Sequence, residues 1–198
     1  AVVLLSYPVA AWMGVRSGAK GTFAQAVLRG NLAFVGLPII YELPDVTLAG
    51  GLSMRAAAVQ AHAARGGYVL GICNGFQVLC EAGLLPGALA RNSGLHFVCR
   101  DVWLTVDSVS TAWTSRYESG AELLVPLKSG EGRYVAGEPV LDELEGEGRV
   151  VFRYADNPNG SMRGIAGISS ANGRVVGLMP HPEHACEPLT GPRSEEHT

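Results

Sequence analysis

The run Tyr68 to Ile72, apolar but for Gly71, ends inside Gly71-Ile72-Cys73-Asn74-Gly75 and gives way to a helical pattern over Asn74–Glu81 that closes at Gly83. This junction constrains the chain most. A short, continuous apolar run bounded by glycines reads as a strand buried on both faces, the signature of an α/β fold. The glycines on either side of Cys73 permit a sharp strand-to-helix corner that exposes the intervening side chain above the sheet. The helix beginning there supplies unpaired N–H groups and a positive dipole end, which favour a thiolate and can hold a developing oxyanion. Taken alone, a Gly-x-Cys-x-Gly run also fits a buried structural thiol.

A cysteine nucleophile requires a base, and the base requires an orienting group. His181-Pro182-Glu183 follows Val175 to Met179, the last apolar run, so His181 is expected at the sheet edge that carries Cys73. Pro180 and Pro182 stiffen the backbone there. Glu183 is placed to orient the imidazole as the acid of a triad does. His184 is too near His181 to be an independent base. His62 and His96 read as surface or core histidines. Cys80, Cys99 and Cys186 lack a comparable setting and read as core or incidental thiols.

The rest of the chain fits the same class. Apolar runs at Val2–Leu5, 34–41 and 45–48 precede an Ala-rich helix, Met54–Ala64, with Ser53 at its N-cap and Arg65-Gly66-Gly67 at its end. This rhythm implies β-α-β units. From Phe97 onward strands follow with little helix between them: 97–106, 123–125, 149–154, 165–169 and 175–179. Ala171-Asn172-Gly173-Arg174 between the last two predicts a hairpin. The expectation is a mostly parallel central sheet with helices on both faces and an antiparallel excursion, built as one domain over residues 1–192.

Composition removes other classes. The chain has 198 residues, 26 Gly and 11 Pro, and is 47% hydrophobic but only 17% charged, which suits a packed core with many turns and excludes wholesale disorder. Its net charge is −3, and its basic residues are scattered, so nucleic acid is not an expected partner. No apolar run reaches the length of a bilayer span, and 32–41 is broken by Gly36 and Pro38. Four cysteines without C-x-x-C spacing suggest reduced thiols in a cytoplasmic protein and no metal site. The first residue is not Met, which suggests a fragment. Residues 193–198, Arg-Ser-Glu-Glu-His-Thr, can be back-translated to the start of a common sequencing-adapter oligonucleotide, so that tail is expected to be non-native.

Residues 71–79, 81–89, Arg91-Asn92, 97–100, 111–115, 129–134, 157–161 and 177–184 together resemble the glutaminase subunits of phosphoribosylformylglycinamidine synthase, which are class I glutamine amidotransferases. The similarity runs nearly continuously from Gly66 to Pro192. It implies a flavodoxin-like amidotransferase fold with Cys73, His181 and Glu183 as the catalytic triad. It further implies that Gln77 contacts glutamine, although Gln77 also fits as a polar residue on the outer face of its helix. The Asn74 N–H, with one from Gly50 or Gly51, would form the oxyanion hole, and Arg91 and Asn92 would lie near the substrate. Family partners are a large synthetase subunit and a small accessory subunit. No Gly-rich phosphate loop is present here, so ATP and Mg are expected on the synthetase, with no cofactor in this chain.

Residues 1–60 depart from the family pattern. Ser6-Tyr7-Pro8-Val9 stands where Phe-Pro-Gly is usual, and Gly50-Gly51-Leu52-Ser53 runs straight into the helix, as though a stretch were missing. The final family helix is also missing. Two further readings therefore stand beside the glutaminase: a catalytically impaired, partner-binding subunit, and a Cys-His hydrolase of the intracellular-protease type.

Overall fold

The computed structural model describes residues 2–5 and 54–185. In chain order the elements are β1 (Val2–Leu5), α1 (Met54–Ala64), β2 (Val69–Ile72), α2 (Asn74–Glu81), β3 (Ala88–Ala90), β4 (Val98–Val106) and β5 (Glu122–Ser129). Then come β6 (Arg133–Val135), α3 (Glu138–Gly146), β7 (Val150–Tyr154), β8 (Ile165–Ser169) and β9 (Val175–Leu178), with 3-10 turns at Met162–Gly164 and Pro182–His184. Seven strands form one sheet in the order β1-β2-β9-β8-β7-β4-β5, and β3 pairs with β6 separately. Helices α1 and α2 have the expected bounds, and the Asn-Gly segment joins β8 to β9 as an antiparallel hairpin.

The α/β class holds, with less parallel pairing than expected. Among the described residues only β2 and β9 run parallel, while β1–β2, β9–β8, β8–β7, β7–β4 and β4–β5 are antiparallel. The connections after residue 97 are hairpins or short excursions, and antiparallel neighbours need no long crossover. The predicted runs at 34–41 and 45–48 lie outside the described residues. Helix α3 was not expected. Its cue was present: Leu141 and Leu144, one turn apart and both fully buried, follow Pro139 in the first helical turn. Arg163 pairs with Glu138, Asp142 and Glu145, and Arg153 also pairs with Glu145, fastening the helix to the sheet.

The core beneath the elbow is built from Val69 and Ile72 of β2, Phe76 and Leu79 of α2, and Val176 and Leu178 of β9. Phe76 also stacks on Tyr134, ring centroids 5.8 Å apart. Two glycines make this close approach possible. A Cβ on Gly71 would lie 2.5 Å from Leu79 Cδ1 and 2.8 Å from the main chain of Gly75, and one on Gly177 would overlap the Phe76 ring. Gly177→Ala should therefore overpack the α2–β9 contact and destabilise the protein by about 1–3 kcal/mol. A urea midpoint unchanged from the parent would contradict that packing.

Sheet order sets β5 four places from β9. Even so, the His181 N–H donates to Pro126 O of β5 at 2.8 Å, and Cys73 Sγ lies 3.8 Å from Lys128 O of the same strand. The sheet curls until its far edge meets the elbow, and the site forms in that closure.

Candidate active site

The parallel pair β2–β9 brings the two ends of the chain's chemistry together. Ile72 is registered with Leu178, so Cys73 and the segment Met179–His181 leave adjacent strands at the same edge. The Cys73 N–H donates to Leu178 O at 2.8 Å, locking the corner to β9. Cys73 itself sits at φ 53°, ψ −112°, in the left-handed half of conformational space that non-glycine residues rarely adopt. Such strain persists only where the surroundings over-determine it, here a buried strand on one side and a packed helix on the other. Asn74 occupies the first helical position, where the helix supplies no acceptor for the N–H.

His181 directs Nδ1 to Glu183 Oε1 at 2.7 Å, with the two side chains only 16% and 14% exposed. Nε2 makes no well-aligned hydrogen bond among the described residues and is buried, while Cys73 is close enough to act on the ring. Burial alone would lower the imidazole pKa. Attraction from the Cys73 sulfur and the Glu183 carboxylate outweighs burial and raises it to about 9. The Glu183 carboxyl is held below its ordinary range: burial pushes it up, and the His181 bond overcomes that. The arrangement suits a thiolate–imidazolium pair whose base has its tautomer set by an acid.

The remaining expected residues are placed unequally. Gln77 lies one turn along α2 with Nε2 3.4 Å from Glu131 O. Exposed Arg91 pairs with Glu131 at 3.7 Å. Asn92, expected to contact substrate, is 1% exposed and has a structural task. Its Nδ2 donates to His96 O and Ser129 O, and its Oδ1 accepts from the Gly132 N–H, so it holds the Ser129–Gly132 turn from beneath. Both amide hydrogens and one lone pair of the oxygen are thereby committed to the fold. Gly50, Gly51, Ser53, Cys186 and residues 193–198 lie outside the described residues. Cys80 is half-buried against the core, and desolvation pushes its thiol up to about 12, as suits an inert position. Cys99 is exposed and free.

Sequence reasoning missed the Glu131 turn, Lys128 and the packing of His184. Only the curl of β5 over the elbow brings them to the site, and no local pattern announces it. His181, Glu183 and His184 bring potential ligand atoms within 4.8 Å of one another. One Glu183 oxygen is engaged by His181 and His184 Nδ1 by Lys128, so the cluster is wired internally and is not arranged as a metal cage.

Residues 52–198 match the CobB/CobQ-like glutamine amidotransferase domain family. The chain belongs to the glutamine amidotransferases. Within them this amidotransferase is 83% identical over 136 residues to the Rhodococcus jostii phosphoribosylformylglycinamidine synthase subunit PurQ, a match covering 68% of the chain and 60% of the relative. It is 69% identical over 175 residues to the Mycobacterium tuberculosis subunit of that name, covering 87% of the chain and 78% of the relative. Among solved structures it is similar to one from the PurLQS structure of Thermotoga maritima, with 42% identity and a TM-score of 0.64, covering 70% of this chain and 62% of the other. The amidotransferase thus spans about 60% of the length of its Rhodococcus relative. Among its described residues no helix is long and apolar enough to cross a membrane.

Proposed function

We propose that this amidotransferase is the glutaminase subunit of a phosphoribosylformylglycinamidine synthase, freeing ammonia from glutamine and delivering it to a large synthetase subunit aided by a small accessory one. The observation that carries the reading is the junction of β2 and β9. A strained cysteine at a helix N-terminus faces a half-buried imidazole whose other nitrogen is bound to a carboxylate at 2.7 Å.

The chemistry follows from these groups. The Cys73 thiolate adds to the side-chain amide carbon of glutamine, and the Asn74 N–H receives the developing oxyanion. The tetrahedral adduct collapses with cleavage of the C–N bond, and His181 gives its proton to the departing nitrogen, leaving a glutamyl thioester and ammonia. Water then attacks the thioester, His181 takes the proton, and the C–S bond breaks to release glutamate and regenerate the thiolate. Glu183 holds the imidazole in the tautomer both steps need. Gln77, one helical turn after the nucleophile and bonded to Glu131 O, is the side chain assigned to hold the glutamine. The reaction requires no cofactor in this chain. The ATP and Mg used to make the amidine of formylglycinamide ribonucleotide would bind on the synthetase, in a cytoplasmic complex of purine biosynthesis.

Reconstitution with the large and small subunits tests this. With glutamine labelled with nitrogen-15 at the amide, the label should appear in the amidine product, and Cys73→Ala should abolish its transfer while free ammonia still supports synthesis. Assembly of a complex without any glutamine turnover would overturn the glutaminase reading in favour of a silent binding subunit.

A further inference from the structure

Two residues at this site have no part in the chemistry above, and they touch each other. The His184 ring lies parallel to that of His181, with centroids 5.1 Å apart and planes inclined by 11°, so one face of the base is covered by a second imidazole. The His184 N–H also donates to His181 O at 3.0 Å, which closes the turn and fixes the pair. On its far side, His184 Nδ1 lies 3.3 Å from Lys128 Nζ. An ammonium can only donate, so Nδ1 is the acceptor, and His184 is a neutral imidazole carrying its proton on Nε2. Lys128 belongs to β5, and its main-chain carbonyl is the group facing Cys73 Sγ at 3.8 Å.

We infer that His184 is a positioning residue, kept neutral by Lys128 so that its ring face supports the His181 imidazolium beside the Cys73 sulfur. A neutral π face against a cation is attractive, and two stacked imidazolium rings would repel. The groups acting on His184 are Lys128 from β5 and His181 and Glu183 from its own turn. Burial holds its pKa below the ordinary value, and Lys128 and His181 depress it further against the pull of Glu183. The two rings therefore divide the work: His181 is charged in the range where His184 is not.

The catalytic arm of the test rests on the glutaminase reading, so a second arm avoids glutamine. Alkylation of Cys73 by iodoacetamide, followed peptide by peptide by mass spectrometry, has an upper inflection where the neighbouring imidazolium loses its proton. His184→Ala should move that inflection to lower pH and reduce kcat for glutamine about tenfold, with KM within twofold of the parent. His184→Phe restores an uncharged ring face and should recover most of the rate and the inflection. Lys128→Met frees His184 to protonate, which should add a loss of activity on the acid side that disappears in the Lys128→Met, His184→Phe double variant. Circular dichroism establishes folding, and if His184→Ala does not fold, the Phe and Met variants decide alone. Unmoved profiles in folded variants, or a folded His184→Phe that behaves as His184→Ala does, would overturn the inference. Shifted alkylation without any glutaminase activity would leave the positioning role standing and remove the glutaminase.

Discussion

Cys73→Ala should lower glutamine hydrolysis by at least ~10³–10⁴-fold, the loss expected when a covalent nucleophile is removed from an otherwise intact constellation. No other thiol among the described residues is placed to replace it. Among the described residues the remaining thiols are Cys80, half-buried against Pro86, and Cys99, on the exposed side of β4. The substitution leaves the fold in place, because the corner is held by main-chain groups: the residue 73 N–H on Leu178 O, and residue 73 O accepting from the Phe76 N–H. Alanine at φ 53° carries the same backbone strain as cysteine, so the urea midpoint should stay close to the parent's while activity vanishes. Residual turnover within tenfold of the parent would mean that the sulfur is not the nucleophile.

Glu183→Gln should cost about 10²–10⁴ in kcat through the imidazole, without touching the substrate. A carboxylate can only accept at His181 Nδ1, whereas an amide can present an N–H there and stabilise the wrong tautomer. The variant also removes one of the two attractions that hold the His181 pKa near 9, so the alkaline limb of the rate profile should move toward the ordinary histidine range. Stability follows with a definite sign. A folded-state pKa raised above about 6.5 contributes stability that is fully present below pH 6.5 and is lost as pH rises through about 9. Urea midpoints at pH 6 and pH 10 should therefore differ more in the parent than in Glu183→Gln. Equal differences would show that the pair is not coupled to folding.

Much of this site was legible because its determinants are local. The strand into Gly71-Ile72-Cys73-Asn74-Gly75, the closure of α2 near Gly83 and the Asn-Gly hairpin depend on residues within a few positions of one another. The hairpin then dictates where β9 emerges, and with it His181. Helix α3 escaped because its fully buried side chains are only Leu141 and Leu144 among acidic residues, and much of its fastening comes from Arg153 and Arg163 further along the chain. The β3–β6 pair joins two three-residue strands whose partners lie more than forty residues apart, with no turn between them to signal the pairing. The resemblance sets Asn92 near the substrate, where a polar side chain has two uses, to contact a ligand or to hold a turn. Burial chooses between them, and burial is a property of the curled sheet.

The alignment of Ile72 with Leu178 also makes the chemistry a witness to assembly. A parallel strand advances about 3.3 Å per residue, so sliding β9 two positions along β2 would preserve which side chains face inward yet carry the imidazole some 6–7 Å away from the sulfur. Such a misassembled molecule would look native to circular dichroism and turn over nothing. Rate per mole of soluble protein is thus a fidelity gauge for the one parallel seam described, finer than any spectroscopic measure of helix or strand content.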